Sequence, residues 1–276
     1  MERMLICSDC DGTLLSDSKK IPELNMKVIM ELKEQGHIFA VATGRILQSA
    51  RYYSSHFGKD TPVIASNGGV YDTGDGTLHK AHLGKESLLN VYRLAEKHGL
   101  VLNFFTHDTV YCNDFRGAFF TSVAFNRNTP RQFAVRTVLL RDEKSLLTHS
   151  SSIINAIIIA RKNPEILKDI RTELMEDPTI TVESSRFDNL EIIPDHISKG
   201  TAVQALAEHF GIDQKNVICF GDGENDITML KYAGKGYAMD NAHDSIKKEA
   251  DGIALSNEAA GIGHKLSELF NLAVTV

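Results

Sequence analysis

The chain has no excess of positive charge, no long apolar run and few cysteines. Lysine and arginine number 30 against 36 aspartates and glutamates, for a net charge of −6. No broad basic field therefore points to nucleic acid or to an anionic membrane. No apolar stretch approaches the roughly 18 residues that a membrane span requires. Met1-Glu2-Arg3-Met4 runs straight into a short apolar segment, without the long apolar region and cleavage site of a secretory signal. The expectation is a cytoplasmic protein whose four cysteines (Cys7, Cys10, Cys112 and Cys219) are reduced. There is no internal repeat and no low-complexity segment. What is present is a globular balance. Hydrophobic residues make up 42% and charged residues 24% of 276, enough for one large domain or two ordinary ones.

Cys7-Ser8-Asp9-Cys10 spells C-x-x-C, a spacing shared with redox sites. A redox pair should open a helix, and here Asp-Gly-Thr follows. No second cysteine pair completes a zinc site. The two thiols are expected to be small packing residues at a strand end.

Short apolar runs alternate with helical patterns in the first 70 or so residues. Leu5–Ser8, Ile38–Ala42 and Val63–Ala65 read as buried strands. Leu24, Val28, Ile29 and Leu32 follow helical spacing, with Gly36 placed as a helix stop. A second helix is predicted from about Ile46 to His56, and Asp72 to Gly76 reads as a hairpin tip. Such alternation predicts a parallel sheet covered on both faces. The middle differs. Helix Lys85–His98, strands Val101–Thr106 and Thr109–Asn113, strand Ile153–Ala160, a helix near Pro164, and strands Ile180–Glu183 and Leu190–Ile193 suggest an inserted α+β domain. The stretch Arg116–Ser152 carries no clear pattern. Alternation resumes with a helix from Lys199, strand Val217–Phe220, a helix through Ile227–Leu230, and strands Tyr237–Met239 and Ile253–Leu255. The predicted fold class is α/β, a Rossmann-like, mostly parallel core with an inserted α+β cap. The expected division is 1–82 with 191–276 as core and 83–190 as cap.

Four polar clusters each follow an apolar strand: Asp9-Cys10-Asp11-Gly12-Thr13, Thr43-Gly44-Arg45, Ser66-Asn67-Gly68-Gly69 and Gly221-Asp222-Gly223-Glu224-Asn225-Asp226. In open parallel sheets, ligands bind outside the carboxyl ends of strands, so these clusters converge on one crevice. Asp9 and Asp11 stand one residue apart, which on a regular strand points them the same way. With Asp222 and Asp226 at the same edge, the carboxylates repel unless a cation intervenes. An oxygen donor set without histidine or cysteine favours Mg²⁺ over zinc. Asp-x-Asp-Gly-Thr alone also fits a solvated acidic turn. Thr43-Gly44 is expected to open a helix, where a hydroxyl and free amides cradle phosphate, although Thr-Gly is often only a cap. Lys199 opens a helix against the dipole, which suggests an anionic partner, phosphate or carboxylate. The segment from Gly221 resembles G-x-G-x-x-G, but Asp226 replaces the third glycine and the first strand is far away, so a dinucleotide site is not expected.

The ordered set Asp9-Cys-Asp-Gly-Thr-Leu-Leu15, Ala42-Thr-Gly-Arg45, Ser66-Asn-Gly-Gly69, Ser198-Lys-Gly200, Gly221-Asp-Gly-Glu-Asn-Asp226 and Ala238-Met-Asp-Asn-Ala242 resembles the haloacid dehalogenase superfamily of phosphatases. The resemblance is strongest to its Cof-type, sugar-phosphatase-like branch, which carries a large α/β cap after the third strand. It implies a Mg²⁺-dependent phosphomonoester hydrolase acting on a small phosphorylated metabolite. Asp9 would be the nucleophile. Asp11 would protonate the leaving oxygen and then deprotonate water. Mg²⁺ would be held by Asp9, the Asp11 backbone carbonyl and Asp222, with Asp226 a ligand or a neighbour of one. Thr43, Gly44, Lys199 and Asn225 would hold phosphate, with backbone amides near Cys10 and Asp11. Arg45, Asn67 and Gly68 are further candidates for touching substrate. The cap is expected to supply discrimination between leaving groups, with Asn113, Asp114 and Arg116 as candidates. Sugar phosphates, pyridoxal phosphate, nucleotides and flavin mononucleotide all remain open as substrates.

Three departures from the family pattern stand out: Cys10 between the aspartates, Asp195-His196 before Ser198-Lys199, and Asn257-Glu-Ala-Ala-Gly261 without its usual aspartate. A phosphomutase of the same superfamily and a non-catalytic phosphate sensor are the alternatives. Intact Asp9, Asp11, Lys199 and Asp222 argue against the sensor.

Overall fold

The computed structural model of the chain describes residues 2–117, 123, 129–184 and 186–273. Five strands lead the chain: β1 (Leu5–Ser8), β2 (Ile38–Ala42), β3 (Val63–Ala65), β4 (Val70–Asp72) and β5 (Leu78–Lys80). Six follow in the middle: β6 (Val101–Phe105), β7 (Thr109–Cys112), β8 (Arg136–Leu139), β9 (Asn155–Ile159), β10 (Ile180–Glu183) and β11 (Asn189–Pro194). Three close it: β12 (Val217–Gly221), β13 (Lys235–Met239) and β14 (Gly252–Ala254). They form an eight-stranded sheet in the order β14-β13-β12-β1-β2-β3-β4-β5 and a six-stranded sheet in the order β10-β11-β9-β6-β7-β8. No helix among the described residues is long and apolar enough to cross a membrane.

The chain divides into two compact units. The first comprises Met1–Gly44, Tyr53–Leu78 and Ser198–Val276. Its sheet is parallel from β14 through β3, and β4 pairs antiparallel to β3. Alternate residues of each strand feed opposite faces. Leu5, Cys7, Ala40, Val217 and Cys219 pack with Val203 and Leu206 of the helix Lys199–Phe210. Ile6, Phe39, Val41, Ile218 and Phe220 pack with Val28 and Ile29 of the helix Glu23–Glu34 and with Ile262 and Leu266 of the helix Gly261–Phe270. Both faces are therefore apolar, as a covered parallel sheet requires. Gly36, with φ +90°, follows the first of these helices as its stop.

The second unit comprises Arg45–Tyr52 and His79–Ile197. Its sheet is mixed, and helices Lys85–Lys97 and Ile166–Leu174 bury Leu88, Val91, Leu167 and Ile170 against Leu102, Phe104, Ile158 and Ile192. The unit ends at Ile197 rather than near Leu190, because β11 spends its hydrogen bonds on β10 and β9. Ile46 joins Phe105, Val110, Cys112 and Val135 in a small apolar cluster, which is why 45–52 belong here. Within the unpatterned stretch Arg116–Ser152, the described residues form β8 and the helix Glu143–His149, capped by Asp142. Residues 118–122 and 124–128 lie outside the described part.

Asn113 is committed to this fold. Its Oδ1 accepts from the Leu102 amide at 2.8 Å, and its Nδ2 donates to Glu96 and to the Leu100 carbonyl. Asp114 accepts from the Gly117 amide. The expectation that Asn113 contacts substrate gives way to a structural role. Asn113→Ala strands the Leu102 amide and should lower stability by about 1–3 kcal/mol. A urea midpoint shift at unchanged KM would show this, whereas a changed KM at unchanged stability would contradict it.

Candidate active site

The strand order β3-β2-β1-β12-β13-β14 reverses direction between β1 and β12. That switch point opens a crevice at the carboxyl ends of the two strands. Asp9 follows β1 and Asp222 follows β12, so residues 213 positions apart meet there because the strands are neighbours in register. Carboxylate oxygens of Asp9, Asp222 and Asp226 lie within 4.8 Å of one another.

Lys199 joins them. It is the first residue of its helix, whose cap is Ser198 bonded reciprocally with Thr201. Its side chain is 0% exposed, and its ammonium donates to Asp9 Oδ1 at 2.7 Å and to Asp226 Oδ1 at 2.6 Å. The anionic partner expected at this helix start is thus a pair of carboxylates. Asp226 Oδ2 also accepts from the amides of Asp222 and Gly223, both at 2.9 Å. Asp222 Oδ1 accepts from Thr13 Oγ1 at 2.6 Å. Gly12 lies against the same carboxylate with φ +85°, so a side chain there would collide with Asp222.

The other clusters lock in behind. The Asn67 amide donates to the Thr43 carbonyl, and Asn225 Nδ2 donates to Asn67 Oδ1 at 3.0 Å. Asn67 is left-handed, with φ 54°, a conformation asparagine tolerates. Gly68, also at positive φ, packs so closely on the Ser198 carbonyl that no Cβ fits. Thr43 remains in the ladder through its bond to the Ile64 carbonyl, and the next helix begins only at Leu47. Thr43-Gly44 therefore sits in a loop after β2 and does not open the helix as expected. Arg45, in the second unit, donates to Ser49. Cys10 is buried in the apolar core, leaving only its backbone for the site. Cys7, Cys10, Cys112 and Cys219 are all buried, and burial beside Cys7 pushes the Cys219 thiol up. His196 is a surface residue, 93% exposed and paired with Asp195. Asp11 lies outside the carboxylate group, its Oδ1 2.6 Å from Lys19 Nζ at a solvent-exposed position.

Electrostatics follow from this packing. Burial, together with Asp226 and Asp222, drives the Asp9 carboxyl well above its ordinary range despite Lys199. Burial also pushes Asp222 up to about 6, with Asp226 adding to it and the Thr13 bond opposing it. Burial by itself would lower Lys199, but Asp226 and Asp9 outweigh it and hold the ammonium above its ordinary range. One ammonium cannot neutralise three ionised carboxylates. A divalent cation would, and an all-oxygen donor set suits Mg²⁺, so the residues fit the ion that the motifs implied.

The sequence profile of haloacid dehalogenase-like hydrolases matches residues 6–266. The chain belongs to that family. The 5-amino-6-(5-phospho-D-ribitylamino)uracil phosphatase YitU of Bacillus subtilis is 29% identical over 280 residues, 97% of this chain and 98% of its own. A second B. subtilis phosphatase of the same name, YcsE, is 26% identical over 259 residues, 94% of this chain and 92% of its own. A solved haloacid dehalogenase-like hydrolase from B. subtilis superposes with a TM-score of 0.84 at 25% identity, covering 96% of this chain and 99% of its own. The motif-based resemblance and the fold class, a Rossmann-like core with an α+β cap, are borne out. This haloacid dehalogenase-like hydrolase is a phosphatase. Thr13 and Lys19 were not singled out from the sequence as site residues. Thr13 lies inside the Asp-x-Asp-Gly-Thr motif, and that was its available signal; Lys19 had none.

Proposed function

We propose that this phosphatase hydrolyses the phosphomonoester of a small sugar- or polyol-like metabolite through an aspartyl phosphate on Asp9. The observation that carries the reading is the buried Asp9 carboxylate at the switch point, held by Lys199 beside Asp222 and Asp226. Asp9 attacks phosphorus as the bond to the leaving oxygen breaks, and Asp11 gives that oxygen its proton. Asp11 then takes a proton from water. The water oxygen attacks the same phosphorus, releasing phosphate and restoring the Asp9 carboxylate. Lys199, Asn225, Thr43, Gly44 and the amides near Cys10 hold the phosphoryl oxygens. Asp9, the Asp11 carbonyl and Asp222 would hold Mg²⁺. Asp226, already taken up by Lys199 and two amides, fixes the direction of both. Bound Mg²⁺ supplies charge neutralisation for the phosphoryl group.

The names of two relatives point to a phosphate on a ribityl chain. A screen of metabolite phosphates that includes 5-amino-6-(5-phospho-D-ribitylamino)uracil tests the substrate class. Stoichiometric phosphate release supports hydrolysis, and transfer to a second hydroxyl without release would indicate a mutase instead. EDTA should silence the enzyme and Mg²⁺ restore it. Ca²⁺ should support turnover poorly, since its looser coordination misplaces the reacting groups. Full turnover in metal-free buffer would remove the metal from the mechanism.

The pH dependence has a definite sign. Asp222 titrates at about 6 in the folded protein against an ordinary 3.8. Between those values the folded state binds the extra proton, so this group costs metal-free stability as pH rises through the window. Asp222→Asn should thus raise the melting temperature in EDTA, more at about pH 7 than at about pH 4. Mg²⁺ should stabilise wild type only, and less below about pH 6, where protons compete for Asp222. A pH-independent difference between variant and wild type in EDTA would contradict the assignment.

A further inference from the structure

The segment carrying Asp11 is gripped from two stretches so far given no role, the motif at 238–242 and the loop after β14. Asn241, just after β13, donates from Nδ2 to the Gly12 carbonyl at 2.8 Å. Its Oδ1 accepts from the backbone amide of Asn257 at 3.0 Å. Asn257, buried in the loop after β14, donates from Nδ2 to the Leu15 carbonyl at 3.0 Å and to Asp17 Oδ1 at 3.2 Å. The Asp17 amide in turn donates to Glu258 Oε1 at 2.5 Å. The gripped segment is a tight turn. Leu14 and Leu15 donate their amides to the carbonyls of Asp9 and Cys10, and Asp11 bridges to Leu15. On its other side, Thr13 and Gly12 rest on Asp222. The turn is therefore clamped between the carboxylate group and the two asparagines.

We propose that Asn241 and Asn257 are positioning residues, a two-amide relay that fixes the carbonyls of Gly12 and Leu15 and so holds Asp11 in register with Asp9. The inference rests on the phosphatase reading above for the role of Asp11, but not for the relay itself. One bond to the carbonyl of Gly12 itself, with φ +85°, and one to that of Leu15 three residues on restrain the place where the turn would otherwise bend. An error of about 1 Å in a proton donor costs on the order of 10²-fold in rate. Asn241 is exposed, so its removal opens no cavity and leaves the fold intact; the one amide it releases besides the Gly12 carbonyl, that of Asn257, lies at a part-buried bond. Asn257 is the departure-bearing loop's asparagine. In Asn257→Asp the same shape would aim an acceptor at the Leu15 carbonyl and at Asp17, reversing the attraction.

The test compares Asn241→Ala and Asn257→Asp with wild type by two readouts. In metal-free protein, hydrogen exchange at the Leu14 and Leu15 amides should speed up by about tenfold or more, with β1 and β12 amides unchanged. In the Mg²⁺-loaded enzyme, kcat/KM for phenyl phosphate should fall about 10²-fold, because phenolate needs the Asp11 proton. For p-nitrophenyl phosphate, whose leaving group needs little protonation, it should fall less than about fivefold. Asn241→Ala should lower the melting temperature by no more than about 2–4 °C, the effect of roughly 1 kcal/mol in a chain of this size. Unchanged exchange at Leu14 and Leu15 would overturn the relay. An equal loss on both substrates accompanied by a larger fall in melting temperature would reduce it to a structural contact and overturn it as well. If wild type hydrolysed neither substrate, the phosphatase reading would fail, while the exchange readout would still decide the relay.

Discussion

Asp9→Asn is expected to cut phosphate release from p-nitrophenyl phosphate by more than about 10⁴-fold, the loss typical of deleting a covalent nucleophile. The amide keeps the shape of the side chain and can still face Lys199, but it cannot form the acyl phosphate. The fold should survive the change. Burial and two neighbouring carboxylates already make an ionised Asp9 unfavourable in the metal-free protein. A neutral side chain removes one of the three repelling charges, so the metal-free melting temperature should hold or rise. The Mg²⁺-dependent increase in that temperature should shrink, because one carboxylate donor is gone. Steady-state phosphate release and calorimetry with and without Mg²⁺ check both halves. Turnover near the wild-type rate would refute Asp9 as nucleophile.

Lys199→Met removes the sole ammonium bonded to the buried carboxylates among the described residues. Breaking a buried ion pair from one side costs about 3–5 kcal/mol, since the remaining charges stay desolvated. Here the remaining charges are Asp9 and Asp226, and both lose a bond shorter than 2.8 Å. The loss should be largest near neutral pH. It should shrink as pH falls, because the variant's folded carboxylates take up protons that the unfolded chain does not bind. Mg²⁺ should recover part of the stability and little of the activity, as the phosphoryl group also loses a positive partner. Turnover should drop by at least about 10³-fold. Lys199→Arg should not rescue it, since a fully buried position shaped for an ammonium has no room for a planar guanidinium. Denaturant midpoints across pH would test the argument, and a stability loss that grew on acidification would show that the sign is wrong.

Much of this was legible along the chain. Strand β1 could be read because Leu5–Ser8 is a short apolar run cut off by Asp-Cys-Asp-Gly. The helix start at Lys199 could be read because Ser198 and Thr201 form a local capping pair. The positions after β1, β2, β3 and β12 were legible as site positions because parallel strands deliver their carboxyl ends to one edge. The helix boundary after Thr43 was not, since the ladder bond to Ile64 that delays it comes from another strand. Arg116–Ser152 resisted because β8 is short and none of its residues is fully buried, so it shows no sharp apolar alternation.

The sequence by itself determined which residue types stand at the strand ends, and with them the resemblance to phosphatases of the haloacid dehalogenase kind. Those signals are local: apolar periodicity, capping pairs and ordered motifs are written in neighbouring residues. Only the tertiary structure decided who meets whom. Lys199 faces Asp9 across 190 residues, Thr13 faces Asp222 across 209, and Asn257 holds Leu15 across 242. It also decided that Asp226 is taken up by Lys199 and two amides, that Asp11 pairs with Lys19, and that Asn113 serves its own sheet. Such choices depend on strand order and register. These are set by the burial of both sheet faces as a whole, and no window of sequence contains that sum.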